Sequence, residues 1–199
     1  MLKNESELNG LLQFLRDAER LKTVTRSAFT STGEAESVAE HSWRLALMAS
    51  LVAPEFPDVD ASRLVRMCLV HDLGEAIGGD IPAPEQARRR ADGALEGKSA
   101  SERRDLLTLV QPLPQSLRDD VVGLWDEYES AETPTAKLAK ALDKLETILQ
   151  HTQGTNPPGF DYRFNLAYGR EHTVGPPLIA TIRAILDRAT EERALEESR

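Results

Sequence analysis

Along almost its whole length this chain returns an apolar residue every three to four positions, the period of an amphipathic α-helix. Leu8, Leu11, Leu12, Leu15 and Ala18 predict a first helix on that spacing. Ser37-Val38-Ala39-Glu40 reads as a capping box, in which the serine covers a free backbone N–H and the glutamate reaches back. The helix it opens carries Val38, His41, Leu45, Met48 and Val52 along one stripe. Asp60 is an N-cap for a third helix through Leu64, Met67, Cys68 and His71 to about Ala76. Gly78-Gly79 stops that helix, and Pro82 and Pro84 keep the next segment in a loop. Residues 85–111 read as charged helix weakened at Gly93 to Gly97, and a further helix covers about 115–129. Thr133-Pro134, a cap followed by proline at the first helical position, opens a helix to about Gln150. A loop from Gly154 to Gly159 precedes a last helical stretch, interrupted at Gly175-Pro176-Pro177, and the charged tail Glu191 to Arg199 is expected to fray. No repeat and no convincing strand alternation occurs. The expected fold is all-α, one compact helical bundle over residues 1–199 with its core at about 8–175.

Charge narrows the partners. The net charge is −9, from 24 basic and 33 acidic side chains, which speaks against general affinity for DNA, RNA or an anionic membrane. A single nucleotide in a pocket of different local charge remains compatible. The one cysteine, Cys68, excludes an internal disulfide and a thiolate metal site, and between Met67 and Leu69 it reads as a buried small hydrophobe. The first seven residues are too acidic and polar for a signal peptide, and no apolar run approaches the ~20 residues of a membrane helix. The expectation is a soluble, cytoplasmic protein.

Chemistry concentrates at His71-Asp72-Leu73-Gly74-Glu75-Ala76-Ile77-Gly78-Gly79-Asp80-Ile81-Pro82. A His-Asp pair alone is weak, because chance supplies roughly one in every four chains of this composition. Here His71, Asp72 and Glu75 lie at the end of an otherwise apolar helix, where three ionisable groups are costly unless paired or bound to metal. Adjacent imidazole and carboxylate suit Mn²⁺, Fe²⁺, Co²⁺, Ni²⁺ or Zn²⁺; an interior hydrogen-bonded pair is the alternative. His41, on its apolar stripe, is either a satisfied core residue or a second inward histidine of a metal site between helices. Asp143 follows Ala136 and Ala139 along the edge of the stripe Leu138, Leu142, Leu145 and Leu149, and either ligates or pairs with Lys140 or Lys144. Arg88-Arg89-Arg90 and Arg103-Arg104 read as solvated faces, and His151 and His172 as surface residues.

His41, His71-Asp72 and Asp143 in a helical setting resemble the HD-domain superfamily of metal-dependent phosphohydrolases. Ala39-Glu40-His41-Ser42, the segment from His71 to Pro82, Leu124-Trp125-Asp126-Glu127-Tyr128-Glu129 and the helix Ala136 to Glu146 are similar to its 5′-deoxynucleotidase branch. The resemblance implies hydrolysis of deoxynucleoside 5′-monophosphates by a homodimer. It implies that His41, His71, Asp72 and Asp143 hold the divalent ion, with Mn²⁺ or Co²⁺ favoured and Mg²⁺, Fe²⁺, Ni²⁺ or Zn²⁺ admissible. Glu75 would position or activate the attacking water, and Asp80 with the Ile81 backbone would shape the substrate side. In some members Glu75 and Asp80 hold a second ion, and Arg26 matches an arginine that contacts the nucleotide. Two positions depart: Ser27 stands where bacterial members use tryptophan near the sugar, and Ala83 where some carry a hydroxyl. Both bear on deoxyribose preference and leave the metal chemistry intact. Action on another nucleotide (a phosphodiester, alarmone or triphosphate) and a non-catalytic metal- or metabolite-binding module are the competing functions.

Overall fold

The computed structural model describes residues 4–82, 85, 86, 88 and 98–197. Ala83, Arg89, Arg90 and the expected weak point at Gly93 to Gly97 lie outside the described residues. The capping signals reappear as observed helix starts. Asn4 accepts from the Glu7 amide and opens α1 (Glu5–Ala18). Ser37 and Glu40 complete the capping box of α2 (Val38–Val52), with Glu40 Oε2 accepting from the Ser37 amide at 2.7 Å. Asp60 opens α3 (Ala61–Val70). Beyond it come the short α4 (Glu75–Gly78), α5 (Lys98–Leu109) and α6 (Gln115–Ser130). Thr133 caps α7 (Pro134–Gln153), and α8 (Arg170–Thr173) and α9 (Pro177–Glu197) close the chain. No described helix is long and apolar enough to cross a membrane.

The apolar interior falls into two clusters. Leu45, Leu64, Met67, Leu124, Leu142, Leu145 and Ile179 join α2, α3, α6, α7 and α9 in the larger one. Leu73, Ala76, Leu106, Leu109 and Trp125 gather under α4, α5 and α6 in the smaller one, with Val38 beside them. Each large side chain buried in this way contributes about 1.5–3 kcal/mol. Chain order across the two clusters locates the site. Val38 belongs to the smaller and Leu45 to the larger, with His41 between; Met67 and Cys68 belong to the larger and Leu73 to the smaller, with His71 and Asp72 between. Both histidines therefore stand at the seam.

Several expectations need correction. A two-stranded antiparallel sheet, β1 (Thr25–Phe29) and β2 (Ala35–Ser37), precedes α2; three to five residues are too few for alternation to register. The third helix ends at Val70 rather than near Ala76. After the α-type bond from His71 N–H to Met67 O (3.0 Å), Leu73 closes on Val70 and Glu75 on Asp72, three residues back. Gly74 permits this tight turn to press on α5, since a Cβ there would stand 2.8 Å from the Glu102 carbonyl. On α1 the leucine stripe is split: Leu11, Phe14 and Ala18 pack inward, while Leu8, Leu12 and Leu15 stay 48%, 47% and 54% exposed. On α7 Ile148 is fully buried and Leu149 only partly. The charged tail is helical to Glu197 and docked: Arg193 donates to the Tyr162 hydroxyl (2.8 Å), and Glu197 accepts from the Gly159 amide (2.6 Å).

Candidate metal centre and cleft

Four side chains from three places in the chain meet at the seam. His41 comes from α2, His71 and Asp72 from the turn after α3, and Asp143 from α7. His41 Nε2 lies 3.3 Å from Asp143 Oδ1 and 3.8 Å from Asp72 Oδ2. His71 Nε2 lies 3.0 Å from Asp72 Oδ2 and 3.9 Å from Asp143 Oδ1. Donors bound at ~2.0–2.2 Å to one cation, at tetrahedral or octahedral angles, stand about 3.0–3.5 Å apart, and these separations fit with small adjustment. Each ring's other nitrogen is engaged. His71 Nδ1 donates to the Cys68 carbonyl (2.9 Å), and His41 Nδ1 bonds to the Glu146 carboxylate. This backing points Nε2 of both rings toward Asp72 and Asp143, where a bound cation would take the place of a proton on Nε2. His41 Nε2 is buried without a hydrogen-bond partner, which is the condition of a ligand atom awaiting a cation. The donor set therefore fits a divalent ion, and its imidazole and carboxylate composition matches the first-row metals expected from the sequence.

Behind the ligands lies a buried ionic frame that the sequence reading missed. Glu146 accepts from Arg44 Nε (2.6 Å) as well as from His41. Glu36 on β2 pairs with Arg26 Nε at 3.3 Å, and Arg26 also reaches Asp72 (3.5 Å) and donates to Thr147 Oγ1 (3.0 Å). Glu36, His41 and Glu146 converge closely enough for a second cation, but two guanidinium groups already supply that charge. Arg26 is thus tied into the frame as well as lining the cleft. Tyr128 on α6 donates to Asp143 Oδ2 (2.8 Å), so that carboxylate is held from both sides. A stepping signal was present for Glu146: the stripe Ala136, Ala139, Asp143 continues to Glu146 and Gln150, both buried.

Titration follows the crowding. Burial, and then the charges of Asp72 and Asp80, push the Glu75 carboxyl up to about 10. Glu36 rises to about 7 through burial and the neighbouring Glu146. Burial and Arg26 oppose a charge on His41, yet Glu146 and Asp143 prevail and raise it to about 9. Burial likewise opposes ionisation of Asp72, and His71, His41 and Arg26 outweigh it, holding that carboxyl well below its ordinary value.

The centre opens into a cleft of about 590 Å³, within the ~300–1,000 Å³ range of small-molecule sites. Arg26, Ser27, Asp72, Glu75, Asp80 and Asp143 all line it. Ile81 stands outside that lining, and its carbonyl accepts from Gln86 Nε2 (2.6 Å). Glu75 Oε2 is buried without a hydrogen-bond partner. Among the described residues no convergent metal set joins Glu75 to Asp80. His151 corrects its surface assignment: it is buried at the cleft, bonded through Nδ1 to Asn165 Oδ1 (2.8 Å), a partner 14 positions away. His172 is half-exposed beside Glu171.

The sequence matches the HD domain family over residues 18–182. The bovine 5′-deoxynucleotidase HDDC2 is 38% identical over 146 residues, spanning 72% of this chain and 67% of that protein. The 5′-deoxynucleotidase hdd1 of Schizosaccharomyces pombe is 33% identical over 153 residues, 74% of this chain and 73% of its own. The crystal structure of a predicted metal-dependent phosphohydrolase from Magnetospirillum magnetotacticum is similar at a TM-score of 0.76 and 31% identity, covering 94% of this chain and 97% of that one.

Proposed function

This chain belongs to the HD-domain family, and from that premise we propose that it is a divalent-metal-dependent 5′-nucleotidase, releasing phosphate from deoxynucleoside 5′-monophosphates. The observation that carries the reading is the convergence of His41, His71, Asp72 and Asp143 at the floor of a cleft of nucleotide size. Those four residues would hold the ion, with Mn²⁺ or Co²⁺ favoured. When bound, the ion would supply Lewis-acid charge at phosphoryl oxygens and would acidify a water.

The remaining chemistry belongs to the chain. Glu75 orients the attacking water and accepts its proton, work typically worth ~10²–10⁴-fold. Its buried, unpartnered oxygen on the cleft wall supports that role. A carboxyl pushed up to about 10 by burial and by Asp72 and Asp80 would be ionised, and so made a base, by the positive charge of a bound ion. The bond from water to phosphorus forms as the bond to the 5′ oxygen breaks, and one proton passes from the water to the departing alcohol. Arg26 holds Asp72 in place and adds positive potential where the phosphate enters. Ser27 and Asp80 line the substrate side, with Ile81 fixed behind them through Gln86. A serine at position 27 presents less surface to the sugar than tryptophan, so deoxyribose is selected only weakly over ribose.

Three finer attributes belong to the same proposal. The whole chain is one domain, a reading supported by α6, which gives Leu124 to the larger cluster and Trp125 to the smaller. The protein pairs with a second copy through the α2 face carrying Trp43, Leu47 and Leu51, which are 63%, 45% and 71% exposed at helical spacing. It works in the cytoplasm, where its one buried thiol stays reduced.

The test is phosphate release from dAMP, dCMP, dGMP, dTMP, dUMP and AMP by metal-stripped protein with Mn²⁺, Co²⁺, Mg²⁺ or Zn²⁺ restored. Metal-dependent release from the deoxy substrates, absent in Asp72→Asn, is expected, with AMP also cleaved. Silence across the panel by protein that binds metal would overturn the assignment. Light scattering of wild type and Leu51→Glu tests the pairing: a dimer that becomes a monomer is expected, and a monomeric wild type contradicts it.

A further inference from the structure

Lys144 follows Asp143 on α7 and lines the same cleft. Its ammonium lies 2.8 Å from Asp143 Oδ2 and 5.3 Å from the centroid of the Tyr168 ring. Its aliphatic stem runs across Gly169. A Cβ at position 169 would fall 2.6 Å from Lys144 Cβ and 2.5 Å from its Cγ. Gly169 is also left-handed, at φ +62°, so the position favours glycine for clearance and for conformation alike. The segment carrying Tyr168 and Gly169 is itself anchored. Arg183 from α9 donates to the carbonyls of Asn165 (2.8 Å), Leu166 (2.9 Å) and Tyr168 (2.7 Å). A missing side chain, an aromatic ring and a carboxylate thus fix one flexible lysine at the cleft wall.

Among the described residues two other cations line the cleft, and both are engaged: Lys140 Nζ donates to Glu129 (3.1 Å) and lies over the Tyr128 ring, and Arg26 is tied into the ionic frame. Arg26 faces Glu36, Asp72 and Thr147, one partner for each guanidinium nitrogen. An ammonium carries three donors, and Asp143 and Tyr168 take at most two. Asp143 Oδ2, in addition, already accepts from Tyr128, so the carboxylate does not depend on the lysine for its orientation. An acidic chain that takes up an anion needs a local positive charge with a free donor, and Lys144 meets both conditions.

We infer that Lys144 is the phosphate-recognition residue of the cleft, binding an oxygen of the terminal phosphate monoester, with Gly169 as the clearance that lets it reach. The inference rests on the monophosphatase reading of the same site. A terminal monoester offers three non-bridging oxygens and close to two negative charges, so one is left for the lysine beyond those that face the metal centre. A diester, with one charge and an ester group in that direction, fits this corner poorly.

The test uses full-length Mn²⁺-loaded protein and inorganic phosphate as the probe. Calorimetry gives its affinity, dAMP hydrolysis gives kcat and KM separately, and elemental analysis gives metal content. Lys144→Met should weaken phosphate about tenfold to a hundredfold, the range for a hydrogen bond to a charged group. KM should rise by a similar factor while the metal stays bound. Gly169→Ala keeps the charge and every ligand, and should weaken phosphate severalfold by displacing the stem; the double variant should be no worse than Lys144→Met. Unchanged phosphate affinity and KM in both single variants would overturn the inference while leaving the nucleotidase reading intact. Phosphate binding lost in Lys144→Met, in a protein that cleaves no monophosphate, would support the anion site and reject that reading. Should Lys144→Met lose its metal or its fold, Gly169→Ala decides alone.

Discussion

Two buried polar clusters in this molecule are built in opposite ways. Around Arg183 every guanidinium nitrogen is matched. Nε donates to Asp187 (2.7 Å), Nη1 to the Tyr168 carbonyl and Thr173, and Nη2 to the carbonyls of Asn165 and Leu166. At the seam, by contrast, His41 Nε2 and Glu75 Oε2 are buried without a hydrogen-bond partner, and Glu36 Oε2 and Arg26 Nε meet only as an ion pair at 3.3 Å. Leaving such groups unsatisfied costs roughly 1–3 kcal/mol each, and a fold tolerates this where something arrives to complete them. The satisfied cluster fastens α9 to the cleft wall; the incomplete one is where we place the proposed chemistry.

The contrast can be broken from either side. The largest effect expected is in Asp72→Asn, which removes a charge the ion needs: turnover falls to background and bound metal is lost, while thermal unfolding of the metal-free protein stays near wild type. A large drop in that melting temperature would make Asp72 a structural residue. Arg183→Met strikes the satisfied cluster and should cost about 3–5 kcal/mol in denaturant unfolding, since three carbonyls and Asp187 lose their shared partner. Saturating Mn²⁺ should stabilise wild type by about 2.7 kcal/mol at a hundredfold excess over its Kd and leave Asp72→Asn unmoved, which calorimetric melting checks. Glu146→Gln removes the charge behind His41 and should weaken metal binding about 10–100-fold, read from competition with a chelator. Smallest is Ser37→Ala, which breaks the capping box of α2 at about 1 kcal/mol and barely alters metal affinity.

What the sequence could reveal follows the same division. Local signals were legible. Ser37, Asp60 and Thr133 marked helix starts because a cap acts within three residues, and all three are observed. The inward histidines and the His71-Asp72 pair were visible because polar residues on apolar stripes stand out, and the structure brings them together with Asp143. Glu146 was obscured by its neighbours, since an acid among Lys140, Lys144 and Asp143 looks like one more surface charge until its helical phase is followed. Lys144 needed Gly169 and Tyr168 to be placed, and that contact crosses 25 positions of chain. His151 needed Asn165, and the strand that carries Arg26 is stabilised by pairing with Ala35–Ser37 rather than by its own pattern. Partners distant in sequence are what a single chain conceals.

The most direct test of the account is a titration of metal-stripped wild-type protein with Mn²⁺, following heat release and dAMP hydrolysis on the same sample. The account predicts one saturable site, with phosphate release rising in proportion to its occupancy and both signals missing in Asp72→Asn. Hydrolysis at full rate before metal is added, or saturable binding at this site with no hydrolysis at any occupancy, would contradict it.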